Sequence, residues 1–191
     1  MTKNILLTGL MALMSLLLST SCSSYDDTYD FANGIPNAAA RMVYDGKWDV
    51  DGAAGTKTLA VDYGKSFGIV ELPYAEVLRI LFPGDDVDII GVDYENGNVP
   101  YSMTVMPDKS ILYSLQPNAW GIVANINGVE HRLKISFSNI NSTEKTQWGT
   151  LSKNGLLSLV MRVTSYSVDG GSEQQTSIKI TFTATRKQNS K

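Results

Sequence analysis

His131 is the only histidine in a chain of 191 residues, and Cys22 is the only cysteine. Those two counts limit the chemistry at once. A histidine metal site usually recruits a second histidine or a thiolate. Here there is no second histidine, and the one thiol sits at the end of an apolar leader. A histidine acting as general base needs a nucleophile in front of it and an orienting acid behind it. No G-x-S-x-G segment presents a serine in that way. His131 alternates with Leu133, Ile135 and Phe137, which predicts a histidine at the margin of a core face. No catalytic residue, metal site or cofactor is assigned, and the chain is expected not to be an enzyme.

Two other groups of residues carry chemistry. Asp85, Asp86 and Asp88 are followed by Asp93 and Glu95, with Asn96 and Asn98 close by. Hard oxygen donors in a glycine-containing segment are what Ca²⁺ takes, but the spacing is not that of an EF-hand loop. The expectation for Asp85 and Asp86 is a solvated loop. The second group is aromatic. Trp48 alternates with Tyr44 and Val50 and reads as core. Trp120 and Trp148 stand in polar, loop-like contexts, Pro117-Asn118-Ala119-Trp120 and Thr146-Gln147-Trp148-Gly149. An exposed indole is a flat platform for a sugar ring or an apolar ligand, so Trp120 and Trp148 are the candidate ligand-binding residues.

The elements that must position these groups are mainly strands. Leu157, Leu159, Met161 and Val163 alternate with polar neighbours, as do Ile178, Ile180, Phe182 and Ala184. Asp169-Gly170-Gly171 between them supplies a hairpin turn. Asn127-Gly128 joins Ile122–Ile126 to Val129–Phe137, and Pro107-Asp108-Lys109 joins Tyr101–Met106 to Ile111–Leu115. Earlier strands are expected at Met42–Val50, Thr58–Tyr63 and Phe67–Glu71. One segment has the helical period instead. Tyr74, Val77, Leu78 and Leu81 follow Pro73, and Pro83-Gly84 ends the run. Ile80 and Phe82 are apolar too, so a short buried helix over about 73–82 is expected to plug a β structure. The fold class is mainly β: an antiparallel barrel or a two-sheet sandwich with one helix.

The N-terminus sets an address. Lys3 precedes Ile5–Leu18, an apolar run of 14 residues. As a helix it would reach about 21 Å, short of a hydrocarbon core of roughly 30 Å, and it has the length of a signal-peptide core. Ser19-Thr20-Ser21 and Cys22 follow. The arrangement resembles a lipobox, which implies a signal peptide over 1–21 and a lipid on Cys22. Ser23-Ser24-Tyr25-Asp26-Asp27 resembles the surface-export signal of Bacteroidetes lipoproteins. That implies an outer-membrane protein, lipid-anchored and facing outward. Residues 22–39 then read as a tether, with a short helical turn at Ala38–Met42. The single β domain covers 40–186, and 187–191 form a tail.

Removing residues 1–21 would remove Lys3 alone among the charges, taking the net charge from −3 to −4. Beyond Arg186-Lys187 there is no basic cluster, so nucleic acid is excluded as a partner. Gly46-Lys47-Trp48 is similar to the G-x-W of lipocalins, which also set an arginine by the last strand against that tryptophan; Arg186 ends the last strand here. The resemblance implies a calycin-like barrel with a ligand cavity behind the helix, lined by residues such as Met103, Phe137, Met161 and Phe182. Tyr44-Asp45-Gly46, the Leu72-Pro73 helix start and the closing strand with Arg186-Lys187 resemble small Bacteroidetes lipoproteins of unknown function, a family with no activity to carry over. The expected function is a non-enzymatic binding module for a glycan or a small apolar ligand, or else a structural or interaction subunit of a cell-envelope complex.

Overall fold

A computed structural model describes residues 42–137 and 147–187. The signal peptide, Cys22 and the tether at 22–39 lie outside the described residues. So does the expected turn at 38–42, except for Met42, which opens a strand instead.

Alternating sequence gives strands because side chains on a strand point to opposite faces in turn. Among the described residues eleven form: β1 (Met42–Val50), β2 (Ala53–Asp62), β3 (Ser66–Ile69), β4 (Val87–Val92), β5 (Asn98–Val105), β6 (Ile111–Leu115), β7 (Trp120–Ile126), β8 (Val129–Ser136), β9 (Trp148–Leu151), β10 (Leu156–Val168) and β11 (Gln174–Arg186). Between β3 and β4 lies the helix α1 (Tyr74–Leu81), and between β4 and β5 a single 3₁₀ turn, η1 (Tyr94–Gly97). The turn pairs Asp51-Gly52, Asn127-Gly128 and Asp169-Gly170 all have positive φ at both residues, the geometry that matches the twist of a hairpin.

All pairings are antiparallel, and the sheet closes on itself through β10–β11 and β1–β11. The barrel alternative is therefore the one realised. β10 meets two partners in succession along one edge, β9 at Leu157–Val160 and β8 at Ser165–Val168. Since both run against β10, β8 and β9 are two segments of one line, parted by residues 137–147. The register makes β6 and β7 one line across 116–119, and β4 and β5 one line across 93–97. Eleven strands thus build eight lines, each paired with the next and the last with the first.

The interruption in the β8–β9 line is bridged by a side chain. The Gln147 amide donates to Arg162 O (3.1 Å) and accepts from Arg162 N–H (2.8 Å), replacing the backbone rung that a continuous strand would have supplied. Gln147 is buried, where an unmade backbone bond would cost most.

The interior is filled by side chains. Trp48, Tyr44, Met161, Phe182, Phe67 and Tyr113 are all buried within one core cluster, and the Trp48 and Phe182 rings pack 5.0 Å apart. Gly46 makes this possible. A Cβ there would stand 2.5 Å from the Ala184 methyl and 2.7 Å from the Phe182 ring. The arginine expected beside Trp48 is not there: Arg186 pairs with Tyr44, and Phe182 stands opposite Trp48. The Trp48 indole instead donates to Glu71 O (2.8 Å), tying β1 to the segment that leads into α1. Of the residues expected to line a cavity behind the helix, Met161 and Phe182 are wholly buried, while Met103 and Phe137 are half-buried against the core. The outer face is polar, as on β11 with Lys179, Thr181, Thr183 and Thr185 exposed or half-buried.

Helix α1 packs on the core, with Tyr74 edge-on to the Trp120 ring. Pro73 precedes its first residue without a side-chain capping bond, and Val77 and Leu78 are buried. The helix is wetter than its composition suggested. Ile80 is exposed, and Phe82, just past the last turn, is half-buried against Tyr166. Lys187, expected to be loose, donates its backbone N–H to Val43 O (2.8 Å).

Candidate functional site

Line β4–β5 is continued by a second surrogate rung, and that rung shapes a surface groove. The Asn96 side chain donates to Gly121 O (2.9 Å) and accepts from Gly121 N–H (3.1 Å). Asp93 N–H also donates to Gly121 O (3.0 Å). Asn96 is buried and also contacts the Tyr74 hydroxyl; burial raises the Tyr74 pKa, the Asn96 bond opposes the rise, and the Asp93 carboxylate adds to it. With Asn96 turned inward, its neighbours Tyr94 and Glu95 are turned outward.

The result is an open groove of about 790 Å³ along the outer face of β3. Tyr63, Gly68 and Val70 line it from β2, β3 and the segment that follows, and Asp93, Tyr94 and Glu95 line it from the segment between β4 and β5. Tyr63 is held in place. Its ring lies over Gly68, where a Cβ would come within 2.6 Å of it, yet half of the residue remains exposed. Tyr94 is 100% exposed and Val70 69%. Full exposure of a tyrosine beside exposed valines is the informative kind of surface, since large apolar side chains are otherwise covered when cover is available.

The residues singled out in the sequence fall elsewhere. Trp120 is fully buried, its ring packed edge-on against Tyr74 (5.1 Å) and Phe137 (4.8 Å), so it offers no face to solvent. Among the described residues its indole N–H has no hydrogen-bond partner. Trp148 opens β9, half-buried on the outer side of the ring. The two tryptophans do not share the groove. His131 is half-buried at the margin of the β8 core face, as its alternation implies. Its Nδ1 lies 2.7 Å from Asp169 Oδ2. Asp169 Oδ1 also accepts the Arg132 N–H (2.8 Å), so the contact pins the β10–β11 turn to β8. The Arg132 N–H, then the His131 contact, hold the Asp169 carboxyl below the usual carboxylate range.

The acidic cluster divides between elements. Asp85 Oδ1 accepts from the Asn127 amide (2.8 Å), Asp86 N–H donates to Asn127 Oδ1 (3.0 Å), and Asp88 sits on β4. These contacts join the turn after α1 to the β7–β8 hairpin. Among the described residues no three histidine, cysteine or acidic side chains gather closely enough to hold a metal ion.

Sequence reasoning missed Tyr63 and Tyr94. Tyr63 follows Asp62, whose side chain points inward, so parity alone puts Tyr63 outside; nothing in the sequence says that the outside there is a groove. A scan against family models and searches of curated proteins and solved structures found no match to the chain. The class that fold and site define is an antiparallel β-sheet closed into a barrel-like ring, with one short helix and an external aromatic groove.

Proposed function

We propose that this chain is a non-enzymatic binding module of the calycin-like kind, and that its ligand, a glycan, lies in the external groove and not inside the barrel. The observation that carries the reading is the pair of exposed tyrosines, one fixed over Gly68 and one projecting from η1, that line one groove. Ring faces take the apolar face of a sugar, and Asp93, Glu95 and Asn98 supply acceptors for its hydroxyls. The packed core speaks against a small apolar ligand in the interior. A thermal-shift screen of the full chain in mild detergent against glycans, bile acids and fatty acids tests this. At 100 times its Kd a ligand stabilises by about 2.7 kcal/mol, and Tyr63→Ala and Tyr94→Ala should each abolish the glycan shift. A shift that survives both variants would remove the groove from the reading.

The lipid on Cys22 and an outward-facing place on the outer membrane belong to the same proposal. They rest on the leader and the lone thiol. Cys22→Ala should release the protein from the membrane fraction, and intact mass should lose the acyl increment.

The interaction-subunit alternative has one observation in its favour: the outer edge of β4 has no strand partner among the described residues, and Ile90 and Val92 on it are exposed. Against it, a bulge at Ile90 and the charge of Asp88 blunt that edge, which is how sheets commonly discourage strand addition. Recovery of a stoichiometric envelope partner that Ile90→Lys abolishes would favour it.

A further inference from the structure

We infer that the groove selects its ligand by charge, accepting glycan chains without acidic groups and refusing sulfated or uronate-bearing ones. This rests on the groove reading above and deepens it. The described lining holds two carboxylates, Asp93 and Glu95, both exposed, and no lysine or arginine. The third polar side chain, Asn98, is neutral, and the remaining surface is tyrosine and aliphatic. Sites that take anionic sugars set cations, above all arginine forks, against the sulfate or carboxylate. Here an anionic substituent would meet two like charges and the electron-rich rings of the lining tyrosines. A hydroxyl, by contrast, donates to those carboxylates, and an amine would gain from carboxylate and ring together.

The wall is also fixed where the selection is made. Asp93 and Glu95 flank Tyr94, and the segment is anchored from behind by the Asn96–Gly121 pair and by Asp93 N–H to Gly121 O. The anchor fixes the backbone from which both carboxylates project, so they stay beside Tyr94.

The experiment compares matched polymers of one backbone: dextran with dextran sulfate, and a chitin hexamer with its deacetylated and N-sulfated forms, by calorimetric titration of the full chain at low and at physiological salt. Groove binding, defined by loss in Tyr63→Ala and Tyr94→Ala, is expected for a neutral or amine-bearing member and about tenfold weaker for its sulfated partner at low salt, the gap narrowing as salt rises. The double variant Asp93→Asn with Glu95→Gln should close most of that gap while the neutral ligand is still bound. Tyrosine-dependent binding of a sulfated polymer as tight as its neutral partner would overturn the charge selection and leave the groove reading standing. An unchanged ratio in the double variant would also overturn the selection. Binding by no glycan of any charge would overturn both.

Discussion

The barrel is built in two ways on its two sides. Strands β10, β11, β1 and β2 form long ladders, nine to thirteen residues per strand, interrupted only by single bulges. The opposite side is assembled from the three broken lines β4–β5, β6–β7 and β8–β9. Two of their junctions are held by side-chain amides doing the work of backbone, Asn96 on Gly121 and Gln147 on Arg162. The difference teaches that a closed ring tolerates breaks where each lost rung has a substitute. It also teaches that the substitutes leave room for features a plain strand cannot carry. The groove's acidic wall exists because the chain leaves the ladder at Asp93 and rejoins it at Asn98.

The sharpest way to break the continuous side is Gly46→Val. The new side chain would drive into Ala184 and Phe182, and about 3 kcal/mol of stability should be lost, read by denaturant unfolding. A loss well under 1 kcal/mol would mean the two strands give way easily. On the broken side, Gln147→Ala and Asn96→Ala should each cost about 2 kcal/mol, since each strands a buried backbone pair. Hydrogen exchange should then quicken in β4, β7 and β8 before β1 and β11. Uniform quickening would show that the two sides are one cooperative unit.

A smaller effect separates the interior from both sides. Asp62 is buried in the ring, with Oδ1 accepting from Gly64 N–H and the Tyr101 hydroxyl, both at 2.7 Å, and Oδ2 without a partner among the described residues. Burial pushes its carboxyl above the usual range, against the pull of those two bonds. The folded state therefore holds this proton more tightly than the unfolded one. The stability it contributes is full below the ordinary carboxylate pKa and is lost as pH rises through the raised folded value. Asp62→Asn should stabilise the protein at pH 7 by about 1 kcal/mol and flatten that part of the stability–pH curve. A destabilised variant would mean that Oδ2 is served by solvent. The smallest change is expected at Tyr94→Ala, within about 0.5 kcal/mol, although it should abolish glycan binding.

Much of the continuous side was legible in the sequence. Alternation in β1, β10 and β11, together with Asn-Gly and Asp-Gly pairs, is local information about local geometry. The broken side was not. β4 hides among aspartates, and β9 is four residues whose alternation is blurred by Gly149, so Trp148 reads as loop. Trp120 looked exposed because its polar neighbours are local, whereas the rings that cover it come from α1 and from the end of β8. Asn96 and Gln147 look like any loop amide. Their partners lie 25 and 15 residues away, and only the closed ring brings them together.

One feature of the ring governs how it can be made. The partner of β1 on one edge is β11, so the first strand to emerge from any synthesis or export channel waits for the last. Until then Tyr44, Trp48 and Val50 stand on a strand with one open edge, and closure must join segments some 130 residues apart in sequence. A late, rate-limiting closure follows, with a window in which the half-built barrel is vulnerable to aggregation and dependent on an escort. Truncation after β10 should trap the protein in that window, because the strand that ends it has been removed.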